Sequence, residues 1–522
     1  MKLAVVILGL HLAMPLFSQT PAVDLIVVNA NIYTMNARVP RIDAPTGGRA
    51  SGLPDKSRST RAEALAVSGN RITAVGTNDA IRKLANEKTR VIDAKGKTVL
   101  PGFNDAHVHF MAIGNSFSSM DLRSVRTPDE LLQRIAHYAR YLPKGRWILG
   151  GQWNNANWTP NTLPDKKLID AVTPDNPVML YNSDASAVLV NSLALRRAGV
   201  DKRTRDVPGG TIDRDADGEP TGILRGKAIE YVRPFIPADH VRRLSEIAET
   251  ATNYAGSLGI TSVHDTHSDD SSAVYRELER QGKLKTRVYD CISLSDWKKL
   301  QAADRPANTE MVHTGCLKGF SDGEETSDLL PNILAADKSG FQIAIHAMGP
   351  RANEIVLSAF EAAIKTNGKR DRRFRVEHAH NPKTEHVSRF GRSDLIASVQ
   401  PWLFNGASST YYAELQKTGA RLALGSDAPM TDFSPLLGIH AAANASDPSG
   451  RLSVYDAVRA YTVGSAFAEF QENEKGTIET GKLADFIILS DDVFTIDPVK
   501  IRDTFVLTTV VNGVIVYDRN GN

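Results

Sequence analysis

The chain has 522 residues, 42% hydrophobic and 23% charged, with a formal net charge of +2. That length allows two or three domains around a large core, and the near-neutral charge argues against nucleic acid or acidic lipid as the main partner. Cys291 and Cys316 are the only cysteines, and each lies in an apolar strand-like run, so they read as buried free thiols rather than a disulfide framework.

In chain order, Met1-Lys2 is followed by the apolar run LAVVILGLHLAMPLF and then SQTPA. One basic residue, an apolar stretch and a small polar end read as a signal peptide over residues 1–22, which implies a periplasmic or secreted protein. No later segment is long and apolar enough to span a bilayer. Residues 23–100 alternate apolar and polar side chains, as in DLIVVNANIYTM and EALAVSGNRITAVG, and predict short strands. Between those two runs a Pro-, Gly-, Ser- and Arg-rich stretch reads as a surface loop. Residues 475–522 return to the strand pattern, with an Asn512-Gly513 hairpin turn. The two ends are expected to form one composite β-sandwich.

Between them, over residues 101–474, apolar strands alternate with helical stretches. The strand candidates are FNDAHVHF (103–110), ITSVHD (260–265), TRVYDCISL (286–294), HTGCLKGF (313–320), FQIAIHA (341–347), FRVEHAH (374–380), LIASVQPW (395–402) and RLALGSD (421–427). Eight such strands predict an α/β fold, a (β/α)8 TIM barrel. The long gap after the first predicts an inserted α/β subdomain at about 121–230, holding a further strand, PVMLYN.

His107 and His109 are two apart, so an extended strand would place both on one face. Two buried imidazoles must each satisfy their nitrogens, and a shared metal would do so. In a TIM barrel the site lies at the C-terminal ends of the strands. Those ends hold His107, His109, Lys318, His346, His378 and Asp427, all able to build a metal site. His137, His240, His386 and His440 fall in helical or loop patterns and are expected at the surface. His264 and Asp265 have opposite parity, so one of them should face the barrel axis. His380 and His313 are not expected to be ligands.

The motifs PGFNDAHVH, CLKGFSDG, IAIHAMG, RVEHAH and LGSDAP, in that order, resemble those of the amidohydrolase superfamily, in the branch that includes N-substituted formamide deformylase. VNSLAL and GGTIDRDADGEPTGIL resemble the insertion of that branch, so the likeness covers nearly the whole chain beyond its leader. The resemblance implies two divalent metal ions, zinc being expected and manganese or iron left open. His107, His109 and Asp427 would hold one ion, and His346 and His378 the other. Lys318, carboxylated by carbon dioxide, would bridge them. It further implies hydrolysis of a C–N, amide-type bond in a small, partly apolar N-acyl or N-formyl compound by a metal-bound hydroxide. Asp427 would serve as acid–base group, and Asp322 would orient a ligand, although a turn before Gly323 explains Asp322 equally well.

Two positions depart from the branch. Ala185-Ser186 stand where Gly-His is common, and Pro350-Arg351 follow HAMG where Asp is common. Both alter the pocket, for which Trp153, Ser186, Arg351 and Trp402 are the candidate substrate contacts, with Phe110, Met111, Tyr181 and Phe404 nearby. Arg225 is expected in a salt bridge. Two alternatives stay open: a mononuclear deaminase or hydrolase with unmodified Lys318, and a non-catalytic extracytoplasmic binding protein. The partner is a small molecule, and a homo-oligomer is possible on sequence grounds.

Overall fold

A computed structural model describes residues 23–36, 61–237, 240–266, 271–301, 307–321, 323, 327–405 and 411–520. The expected signal peptide, most of the Arg-rich loop and Asp322 lie outside the described residues.

Eight parallel strands form the central sheet: β1 (Phe103–Val108), β2 (Ile260–Thr266), β3 (Arg287–Ser293), β4 (Val312–Ser321), β5 (Gln342–Met348), β6 (Arg375–His380), β7 (Ile396–Val399) and β8 (Arg421–Leu424). They are hydrogen-bonded in chain order from β1 to β8. The segment after β8 closes the circle on β1: the Asp427 amide donates to the His107 carbonyl at 2.7 Å, and the His109 amide donates to the Ala428 carbonyl at 2.9 Å. This is the (β/α)8 barrel that the eight apolar runs predict. Its outer helices bury a stripe at three- and four-residue spacing. Leu329, Ile333 and Ala336 do so in one helix, and Ala352, Val356, Phe360 and Ala363 in the next.

The chain ends share a six-stranded sheet, in which Phe486 and Ile487 lie opposite Pro101 and Leu100. A four-stranded sheet, built on Leu25–Val28, faces it. Leu25, Val27, Leu65 and Val67 of that sheet pack with Ile32, Val99, Phe486, Ile488 and Val510 of the first in one apolar core. The hairpin turn at Asn512-Gly513 has positive φ at both residues, 57° and 76°, the backbone that a two-residue hairpin demands.

The segment between β1 and β2 carries its own six-stranded sheet. Met120–Asp121, Ile148–Trp153 and Val178–Asn182 run parallel, and Ala187–Val190, Pro220–Gly226 and Gly210–Arg214 continue it antiparallel. Its far face has a separate core around Trp147, Met179, Val188, Leu195 and Leu224. No helix among the described residues is long and apolar enough to cross a membrane.

Candidate metal centre

The C-terminal mouth of the barrel brings His107, His378 and Asp427 together, with one ligand atom from each within 4.8 Å of the others. β1 ends at Val108, and His109 is the N-cap of the helix Phe110–Ser116. The two-residue periodicity therefore does not extend to His109, which is 33% exposed while His107 is buried. Both imidazoles nevertheless turn towards one carboxylate: Nε2 of His109 lies 3.3 Å and Nε2 of His107 3.5 Å from Asp427 Oδ1. The helix that His109 caps is held by Asp265, whose carboxylate accepts the Phe110 amide at 2.8 Å and the Tyr275 hydroxyl.

Local backbone explains how the other ligands reach the mouth. His378 and Ala379 have φ of 69° and 44°, and Asp427 has φ of 62°. These left-handed residues break the strand alternation and carry a cost that persists only where the surroundings enforce it. Gly425 lies against β1, where an added Cβ would meet the His107 amide nitrogen at 2.5 Å and Asp105 Oδ1 at 2.7 Å. The Asp105 carboxylate accepts the Ser426 amide at 3.0 and 3.1 Å and the His107 amide at 3.1 Å, stapling the last strand to the first. Burial pushes the Asp105 carboxyl up to about 7.

The donor set suits a divalent cation. Gln400 Oε1 accepts from His378 Nδ1 at 2.7 Å, which leaves the His378 Nε2 lone pair available. Glu377 Oε2 takes the Nδ1 side of His107, which leaves Nε2 towards the Thr266 hydroxyl at 3.2 Å and Asp427 Oδ1 at 3.5 Å. Asp427 Oδ1 is buried and has no hydrogen-bond partner. Burial pushes the Asp427 carboxyl up, but the imidazoles of His109, His107 and His378 outweigh it and hold the group below its ordinary range. Burial also pushes the His378 imidazolium well down, helped by the neighbouring His107 and His346. Burial likewise pushes the His107 imidazolium down despite the neighbouring Glu377, which favours the neutral form that a metal requires.

His346 joins this group, its ring centroid 4.4 Å from that of His378. Lys318 is buried on β4, with Nζ 4.1 Å from the Phe320 ring centroid, and burial pushes its ammonium down despite Glu377 and Asp427. The candidate substrate contacts scatter more widely. Trp153 is a core side chain, 2% exposed, whose indole donates to the Leu180 carbonyl at 3.0 Å, so it offers no free surface. Ser186 is exposed on the insertion, where its hydroxyl accepts from Asn182 at 3.1 Å. Arg351 sits in the first turn of the helix after β5, 3.2 Å from Glu354. Trp402 is half-buried after β7, 6.5 Å from the His440 ring. Phe404 stacks on His380 at 3.8 Å, and Arg225 forms a two-pronged pair with Asp213.

His264 is the residue of its pair that faces the barrel axis, where it meets Arg375, while Asp265 faces the helix layer. The expected surface positions of His386 and His440 are corrected: both are buried, His440 because it packs against Trp402 and lies 3.1 Å from the Pro498 carbonyl. His137 is exposed, as expected, with its ring beside Phe117, Tyr141 and Tyr254. Sequence reasoning missed Glu377, Arg375 and Gln400. It also missed Phe320, Met348 and Met430, which project from the strand ends and the loop after β8 with 57%, 40% and 66% exposure.

A model of the amidohydrolase family matches residues 90–517. The protein LONG AFTER FAR-RED 3 of Arabidopsis thaliana is 33% identical, with 95% of this chain and 91% of that protein covered. N-substituted formamide deformylase of Arthrobacter pascens is 28% identical over 96% of this chain and 99% of its own length. Among solved structures, an uncharacterized metal-dependent hydrolase from Pyrococcus furiosus superposes with a TM-score of 0.59 at 25% identity, covering 90% of this chain and 100% of that one. With the barrel and its cluster of histidines and aspartate, these likenesses establish that the chain belongs to the amidohydrolase family and is a metal-dependent hydrolase acting on carbon–nitrogen bonds.

Proposed function

We propose that the chain hydrolyses the amide-type C–N bond of a small N-acyl or N-formyl compound. The observation that carries this reading is the convergence of His107, His378 and Asp427 at the barrel mouth, with the imidazoles of His107 and His109 turned to Asp427 Oδ1. A divalent metal held there supplies Lewis-acid polarisation of a carbonyl and activation of water. Asp427 accepts the proton released as water adds to the carbonyl carbon, then delivers it to the leaving nitrogen as the C–N bond breaks. The likeness to the formamide deformylase supports an N-formyl group as the simplest acyl portion. Phe320, Met348 and Met430, exposed around the mouth, support an apolar group on the nitrogen side.

In a binuclear centre, His107, His109 and Asp427 would hold one ion and His346 and His378 a second, with carboxylated Lys318 contributing a further ligand. The depressed Lys318 ammonium supports this, because only the neutral amine reacts with carbon dioxide. A mononuclear centre is favoured by a different observation: His107, His378 and Asp427 already form one compact group while Lys318 rests on Phe320. Zinc stoichiometry and a 13C signal from labelled bicarbonate at Lys318 separate the two readings. The apolar leader supports export, testable by N-terminal sequencing of protein recovered from a secreting host.

A panel of N-formyl and N-acyl amines bearing aromatic or aliphatic groups tests the activity on zinc-loaded protein. Turnover by the wild type, and a loss of about 10²–10⁴-fold in Asp427→Asn with zinc retained, is the expected outcome. Absence of turnover across amides, esters and amines would end this reading.

A further inference from the structure

The barrel interior beneath the candidate metal centre is not the apolar stack of side chains usual for this fold. A run of charged and polar groups descends from the mouth. His107 Nδ1 meets Glu377 Oε2, and Glu377 Oε1 accepts from Arg375 Nε at 2.7 Å. Arg375 donates further to His264 Nδ1 at 2.6 Å, to the Ala106 carbonyl and to the Ser398 hydroxyl at 3.4 Å. His264 Nε2 faces Glu469 at 3.5 Å, and Lys475 Nζ closes the run 2.7 Å from Glu469. Arg375, Glu377 and His264 have no exposure to solvent. Each removal of such a charge from water is costly, and hydrophobic replacement is often neutral or favourable, so stability alone does not account for the arrangement.

What it does account for is the tautomer of one ligand. Glu377 lies between a guanidinium and an imidazole, and an ionised carboxylate offers acceptors only. The ring nitrogen facing it therefore carries a proton, and in the neutral imidazole Nε2, which faces the Thr266 hydroxyl at 3.2 Å and Asp427 Oδ1 at 3.5 Å, carries the lone pair. The same Arg375 also grips the Ala106 carbonyl on β1, one residue before His107. One side chain thus fixes both the carboxylate and the backbone that bears the imidazole.

We propose that Glu377, clamped by Arg375, is the positioning residue of the metal centre, fixing His107 as the Nδ1–H tautomer with Nε2 aimed at the ion. The assignment rests on His107 being a metal ligand. Gln400 plays the corresponding part for His378 through a neutral amide, so the two ligands are oriented by groups of different charge.

The test pairs zinc affinity, read against a competing chromophoric chelator, with 15N spectra of histidine-labelled protein. Glu377→Gln keeps the shape but not the charge, while Asp337→Asn disrupts another buried carboxylate, paired with Arg372 on the outer helix layer. The expected result is zinc binding weakened by about 10–100-fold in Glu377→Gln and changed by less than about threefold in Asp337→Asn. In wild-type protein, without metal and with zinc, the His107 ring should carry its proton on Nδ1, the signal being identified by its loss in His107→Gln. That spectrum needs no folded Glu377 variant. A proton on Nε2 of His107, or equal loss of zinc in the two carboxylate variants, overturns the assignment. Failure of the wild type to take up zinc would instead remove the metal reading on which it rests.

Discussion

At the scale of single residues, the site depends on three positions where the chain leaves ordinary strand geometry. His378 and Asp427 occupy the left-handed region, and Gly425 lets the last strand approach the first. A methyl group added at Gly425 would press on the His107 amide and the Asp105 carboxylate, neither of which can swing away. Gly425→Ala should cost about 1–3 kcal/mol in urea unfolding and reduce zinc content at saturation. The same geometry explains what the sequence withheld. Alternation along RVEHAH puts Arg375 and Glu377 on one face and His378 on the other. The turn of the backbone at His378 brings all three to the barrel axis. Strand ends made His107, His346, His378 and Asp427 legible as candidates. Glu377 was not, because its partner His107 lies 270 residues away and only the assembled barrel joins them.

At the scale of elements, all eight barrel strands were legible, because each is an apolar run bounded by turn residues and long enough to cross the sheet. Their ends were less so. β7 and β8 stop at Val399 and Leu424, where the notional runs continued, because Pro401 and the closing loop end the pairing. The Asn512-Gly513 turn was readable from its dipeptide, and its geometry explains why: Gly513 has φ of 76°, and a Cβ there would meet the Gly69 carbonyl oxygen at 2.2 Å. Gly513→Ala should therefore lower stability by about 1–2 kcal/mol from the backbone alone, with more from the contact. Thermal unfolding of the variant measures it. An unchanged midpoint would mean that the hairpin tip does not hold the terminal sheet.

At the scale of the whole molecule, the buried polar run makes stability sensitive to acid. Burial pushes the His264 imidazolium down from 6.5 to about 4, and Nδ1, which accepts from Arg375, has no place for a proton. A depressed pKa means that the unfolded chain binds the proton first. The stabilising contribution is complete above 6.5 and disappears as pH falls through about 4. The loss is on the order of 3 kcal/mol. Denaturant unfolding at pH 7 and pH 4.5 should show that decline, and His264→Gln should flatten it. Burial raises the Glu469 carboxyl, but Lys475 and His264 hold it below its ordinary range, which adds in the same direction at lower pH.

The most direct measurement is the metal content of protein purified without chelator, compared for wild type, His107→Ala, His378→Ala and Asp427→Ala. At least one equivalent of a divalent ion in the wild type, lost in all three variants and restored to the wild type by added zinc after chelation, is the expected result. A wild-type chain that carries no metal and refuses added zinc, or variants that keep the full complement, would contradict a metal centre built from His107, His378 and Asp427.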